Sequence, residues 1–522
     1  MPPVLLFKNL KNPLWNRVYL MKNNIKIPRQ YIILLLIFLS VFFFRLFFVI
    51  KTSTYTGDFA YFHLRHVEYI LNNPFPLLFD ELSYGGKNII YPPLFHYFLA
   101  AFSIFPGLFF AFKILPEILI SLLVVLVYLI SKEISKDENA ALISALISGL
   151  VPLLIRETLN KASTYSLFLP LFFLMIYSFI KISDNKKYMA IFVGLSFLLP
   201  LIDPSSAILI FTLLLYTILL VSESIEIGNL RKEAIFFSTF IIVLINFAIY
   251  NSLFRKYGID ILESNIPKPI FELLYRDVSL LALIYFLGIM TLFLGIFGLY
   301  YGLFLERKRS IYLIASLMLT VLLLTTIKFI DFASGLIFIG VSFSILASIS
   351  IKKFFSFLEM TKFNHLKKLA YSIIVILVVS SSIIPSISIA KDNINDSLAI
   401  EEIWALLYIK NSTPKESVIL ARFDEGHFIS AIAERKNVID SYFLLSDDVE
   451  KRFVDVESLY ENPFTARALF LIRQYRIDYI LLTEKTKQTY GIKELVYTKD
   501  KNCFELVYEN DKAEVYKVLC KQ

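Results

Sequence analysis

Thr56-Gly57-Asp58-Phe59-Ala60-Tyr61-Phe62-His63-Leu64-Arg65-His66-Val67-Glu68 follows the first apolar run of the chain and sets Asp, Arg and Glu beside it. As a helix, this stretch places Asp58, Tyr61, Arg65, Glu68 and Asn72 at i, i+3, i+7, i+10 and i+14, one polar stripe. Phe59, Phe62, Val67 and Ile70 lie mostly off the stripe, where they would rest on lipid or on other helices. Charge at a membrane boundary is costly enough that it usually serves a function. The spacing fits a structural reading equally well: Asp58 caps a surface helix and Arg65 pairs with Glu68.

The rest of the 522 residues makes the membrane unavoidable. The chain is 57% hydrophobic and only 18% charged, with 50 Phe and a mean hydropathy of +0.66. A water-soluble fold cannot hide that much apolar surface. Runs near spanning length cover 31–50, 112–130, 140–155, 165–180, 189–201, 207–221, 234–250, 280–303, 311–326, 334–351 and 370–389. The expected fold class is therefore a polytopic α-helical membrane protein with about eleven spans.

Lys and Arg orient it. Lys8, Lys11, Arg17, Lys22, Lys26 and Arg29 precede the first run with no Asp or Glu among them, and 132–136, 186–187, 231–232, 307–309 and 352–368 are basic too. With a cytoplasmic N-terminus and eleven crossings, all of these fall inside. The Asp58 segment, 156–164, 202–206, 251–279, 328–333 and everything after Lys391 then face out. The first run is too long for a cleavable signal sequence. This bias accounts for the net charge of +8, so nucleic acid is not an expected partner; membrane lipids are. Arg45, near the outer end of its run, is expected to snorkel to the interface. The apolar but short Leu94–Leu108, ending in Pro-Gly, reads as a helix lying in the outer interface.

Two domains are expected. Residues 1–390 form the membrane domain, with external loops 51–111 and 251–279. Charged residues become frequent from 391 to 522, where no spanning run remains. That tail reads as a small mixed α/β domain: helices at 397–410 and 464–475, strands at 418–421 and 477–482, and a hairpin pairing 504–509 with 513–518. The two cysteines, Cys503 and Cys520, flank the hairpin, leaving either an external disulfide or two free thiols. His427 reads as a surface histidine. No zinc spacing and no phosphate-binding Gly loop is present.

Phe62-His63-x-Arg65-x-x-Glu68, followed by Tyr91-Pro92-Pro93-Leu94-Phe95-His96, resembles the first external loop of the catalytic subunit of oligosaccharyltransferase. That archaeal-type enzyme performs asparagine-linked glycosylation within the glycosyltransferase C superfamily. Asp260-Ile261-Leu262-Glu263, then Pro267, stands where the family has Thr-Ile-x-Glu in a mobile external loop. Arg422-Phe423-Asp424-Glu425-Gly426, then Ile439-Asp440, is similar to its Trp-Trp-Asp-Tyr-Gly motif. The departures are specific. After the third span, Ser163 and Tyr165 replace two metal-holding acids, and Arg422 and Phe423 replace the two tryptophans that grip the sequon.

The resemblance implies transfer of a sugar or oligosaccharide from a polyprenyl-phosphate or pyrophosphate donor to a protein or glycan acceptor. It implies catalytic roles for Asp58 and Glu263, donor-phosphate binding by His63, Arg65, Arg156 and Lys161, and acceptor binding by Asp424 and Gly426. Glu68, Pro92 and Pro93 would be structural. A pyrophosphate leaving group favours Mg2+ or Mn2+, which Asp58 would hold with Glu157 or Glu263 completing the cage. A monophosphate carries less charge and would be met by Arg65, Arg156 and Lys161 without metal, with Asp58 as base toward a hydroxyl. Two rivals stand beside these: a relative that binds lipid-linked glycan without turnover, and a secondary transporter. The second calls for midplane charges and inverted repeats, which the sequence does not display.

Overall fold

The computed structural model describes residues 28–258, 266–275 and 279–520. All eleven apolar runs are helical. Among the described residues, eight helices are long and apolar enough to cross a membrane, or nine when the bent pair Glu138–Gly149 and Pro152–Thr158 counts as one span. The remaining two runs form shorter helices, Tyr165–Ile180 and Lys186–Leu198.

Helix Phe332–Glu359 is the centre of the bundle and is buried along most of its length. It packs against Ile289–Tyr301, Glu138–Gly149, Arg309–Thr326 and Leu123–Ser135. Lipid offers no hydrophobic incentive for helices to associate, so close approach through small residues does this work. Gly298 is the clearest case: a Cβ there would lie 2.1 Å from the carbonyl oxygen of Leu346.

Arg45 does not snorkel. It is buried, its Nε donating to Glu117 Oε2 at 2.6 Å and its NH2 to Thr158 Oγ1 at 2.8 Å. An acid at the same depth on the next span satisfies the guanidinium inside the bundle, so the charge need not reach water.

On the Asp58 side, helix Asp58–Asn72 follows Gly57, whose φ of +81° is readily accessible only without a Cβ. A short hairpin follows, β1 (Phe79–Asp80) and β2 (Lys87–Asn88), and then helix Leu94–Ile104. At eleven residues that helix is too short to cross. Pro93 is its N-cap residue and the carbonyl of Pro93 accepts from Tyr97 N–H at 3.1 Å, while Pro92 is buried behind it.

The tail domain builds one sheet from β3 (Val418–Leu420), β4 (Lys436–Asn437), β5 (Tyr479–Thr483), β6 (Phe504–Glu509) and β7 (Ala513–Val518), in the order β4-β3-β5-β7-β6. The β6–β7 hairpin has the expected bounds, and Cys503 and Cys520 are bonded beside it. The first tail helix starts at Ile400 rather than at Ser397 because Ser397 bridges to Thr56 and Glu402 caps the N–H of Ala399. The tail sits on the Asp58 loop: Leu398 N–H donates to Tyr55 O, and Asn437 N–H to Leu82 O at 2.8 Å.

Candidate active site

A cavity of about 930 Å³ lies between the Asp58 loop, the ends of several spans and the tail domain. Asp58 is on its wall. Asp58 Oδ1 accepts the backbone N–H of His427 at 2.8 Å and Oδ2 accepts Ser441 Oγ at 2.7 Å, so the tail cages a carboxylate of the loop that follows the first span. Burial pushes the Asp58 pKa up to about 6, although His427 and the Ser441 hydroxyl pull the other way.

Glu157 and Lys161 line the same cavity, Lys161 Nζ standing 3.9 Å from Glu157 Oε2. His63 lines it too, with Nδ1 2.8 Å from His96 Nε2. Burial holds the His63 pKa well below the ordinary histidine value, so it presents a neutral ring rather than a charge.

The other expected residues lie elsewhere. Arg65 neither lines the cavity nor pairs with Glu68. Its Nε and NH2 form a bidentate pair with Asp80 at 2.9 and 2.7 Å, and NH1 donates to Ser430 O. The hairpin acid offers planar two-point geometry that Glu68 on the same helix cannot. Glu68 is half-buried, with its pKa raised by burial and by Glu434. Arg156 is half-exposed, 3.4 Å from Glu157 and stacked over Phe286, outside the lining. Asp424 is also outside, clamped by Arg422 at 2.8 and 2.6 Å. Gly426 is buried, and a Cβ there would meet the carbonyl oxygen of Ile439 at 2.1 Å; this close approach lets the turn set His427 against Asp58. Asp260 and Glu263 lie outside the described residues.

Among the described residues the donor set is a poor fit for a divalent cation. Both Asp58 oxygens already accept hydrogen bonds, Glu157 is shared between Arg156 and Lys161, and among the described residues no three His, Cys, Asp or Glu side chains come together to hold a metal.

Several contributors were not foreseen. His427 is not a surface residue: its ring is buried, with Nε2 3.8 Å from Asp58 Oδ2 and 3.7 Å from Asp440 Oδ1. Tertiary contact with a loop more than 360 positions earlier in the chain encloses it. Four of the five histidines, His63, His66, His96 and His427, gather around Phe62. Their scarcity elsewhere was the available signal.

The facing wall is rich in hydroxyls. Asp203 accepts Thr164 Oγ1 at 2.6 Å and Ser205 N–H at 2.9 Å, Tyr165 donates to Ser334 Oγ at 2.8 Å, and Asp331 caps Ser334. Leu253, Phe254, Leu274, Leu324 and Phe329 make the rest apolar.

No protein-family model matches the chain, and no curated protein matches it. Solved structures do. The oligosaccharyltransferase of Archaeoglobus fulgidus in its apo form superposes with a TM-score of 0.64 at 14% identity, over 92% of this chain and 74% of that one. ArnT from Cupriavidus metallidurans bound to undecaprenyl phosphate gives 0.52 at 10% identity, over 93% and 98%. The arabinofuranosyltransferase AftD from Mycobacteria gives 0.56 at 13% identity, over 93% of this chain and 40% of that one. What this chain holds in common with all three is the glycosyltransferase C fold.

Proposed function

We propose that the chain is a membrane glycosyltransferase that takes a sugar from a polyprenyl-phosphate-type carrier and passes it to an acceptor on the outer face. The observation that carries this reading is the buried Asp58 carboxylate, caged by the tail domain on the wall of a cavity with one apolar and one hydroxyl-rich side. Among solved neighbours, the Archaeoglobus enzyme is seen with dolichol-phosphate and ArnT with undecaprenyl phosphate.

In this reading Asp58 takes the proton of the acceptor group. The acceptor's electron pair forms the new bond to the anomeric carbon, the bond from that carbon to the phosphate oxygen breaks, and the phosphate keeps that pair. Lys161 faces the departing phosphate charge, the sugar lies against Thr164, Tyr165, Asp203 and Ser334, and the isoprenoid against the apolar side. Glu263, the acid of the Asp-Ile-Leu-Glu element, would orient the acceptor.

A monophosphate donor and a hydroxyl acceptor are favoured over a pyrophosphate donor and protein asparagine. Among the described residues, Lys161 is the one Lys or Arg lining the cavity and no three His, Cys, Asp or Glu side chains gather to hold a metal. Arg422 is clamped to Asp424 and Phe423 packs on Phe443 and Phe453, so neither forms a sequon grip. Deleting the gene and profiling surface glycans and polyprenyl-linked glycans by mass spectrometry tests the reading. Loss of one terminal sugar is the expected result, restored by the wild-type chain and not by D58A. Global loss of Asn-linked glycan supports the oligosaccharide-transfer alternative, and an unchanged profile the non-catalytic one. Turnover abolished by EDTA would overturn the metal-free form.

A further inference from the structure

Three charged side chains inside the bundle have no part in the chemistry above: Arg45, Lys113 and Glu117. An ammonium buried among apolar spans is tolerated only when its donors all find acceptors. Lys113 has three, and three oxygens meet it: Thr52 O at 3.0 Å, Thr54 O, and Asn160 Oδ1 at 2.5 Å. Glu117, one turn further along, takes Arg45 on Oε2 and the backbone N–H of Asn160 on Oε1 at 3.0 Å.

Asn160 is where these converge. Its side-chain amide donates to Thr54 O at 3.1 Å and to Thr56 Oγ1 at 2.9 Å, and its own carbonyl accepts Thr56 N–H at 2.9 Å. Its φ is +61°, a left-handed conformation that Asn tolerates better than most residues. Asp58 lies two residues beyond Thr56 and Lys161 directly follows Asn160, so one side chain ties together the two strands of chain that deliver the proposed base and the proposed phosphate cation to the cavity.

We propose that Asn160, clamped by Lys113 and Glu117 from within the membrane domain, is the positioning residue that fixes Asp58 and Lys161 relative to each other. This rests on the reading of the cavity given above. Lys113 and Glu117 act through Asn160 and touch no substrate.

The test uses the full chain purified in detergent, with two readouts. Hydrogen–deuterium exchange of segments 52–58 and 158–164 follows the tie itself, without any ligand. Thermal stabilisation by undecaprenyl phosphate follows its consequence. In N160A and K113M both segments exchange about tenfold faster while the central span Phe332–Glu359 is unchanged, and undecaprenyl phosphate binds about tenfold more weakly. K113R, which keeps the charge and the donors, recovers most of both. Unchanged exchange in N160A overturns the inference even where K113M fails to fold. Faster exchange with undisturbed lipid-phosphate affinity overturns it as well, because the tie would then position nothing. Wild-type protein that does not bind undecaprenyl phosphate overturns the donor reading, while the exchange result still decides the tie.

Discussion

Asp58 and Asp440 both stand near one imidazole nitrogen, 3.8 and 3.7 Å from His427 Nε2, and both are buried, yet their proton affinities move apart. Burial pushes Asp58 up to about 6. Burial acts on Asp440 as well, but Lys87 and His427 beside it, with hydrogen bonds from Ser83 and Asn437, hold it below the ordinary carboxylate value. The difference is the company each keeps. Asp440 is met by an ammonium, two side-chain donors and the N–H of Tyr442. Asp58 has one hydroxyl, one backbone N–H and a cavity in front. A carboxylate saturated with donors organises structure; one kept short of donors and open to a cavity is ready to take a proton.

The largest expected effect comes from breaking the saturated side. K87M leaves Asp440 buried without its cation and should cost about 3–5 kcal/mol in denaturant unfolding. D58N acts on the other side with the opposite sign. A carboxyl whose folded pKa is raised favours folding fully below its unfolded value of 3.8, and this contribution is lost as pH rises through about 6. Replacing it with a neutral amide at pH 8 should therefore stabilise the protein by up to about 3 kcal/mol, the cost of two pKa units, while abolishing transfer. Wild-type transfer should fall as pH drops through about 6, because Asp58 must be ionised to act as base. S441A removes the one side-chain donor to Asp58. It should cost about 1 kcal/mol and move that acid limb upward, and a limb moving downward would break the comparison. The smallest change belongs to E68Q on the same helix, within about 0.5 kcal/mol and without effect on the pH profile.

Periodicity carried much of this architecture. The apolar runs, the short helix Leu94–Ile104 and the closing hairpin follow from local pattern, which sequence displays directly. Asp58, Glu157, Lys161 and His63 reach the cavity as the segment reading suggests. Arg65 does not, because Asp80 on the hairpin holds it, while Arg156 and Asp424 lie outside the lining beside their sequence neighbours Glu157 and Arg422. Spacing along one helix cannot reveal Asp80 on a hairpin or Glu117 on another span. Asp203 and Asp331 were legible only as isolated acids heading apolar runs, where capping accounts for them just as well.

The cage around Asp58 also has a timetable. Its two donors come from residues 369 and 383 positions downstream. At ordinary synthesis rates of about 5–20 residues per second, the acid emerges roughly 20–75 s before the groups that hold it. During that interval a nascent chain carries the proposed base without the two donors that hold it. On the proposed function competence therefore arrives late, and a product truncated ahead of His427 would lack both groups that hold Asp58.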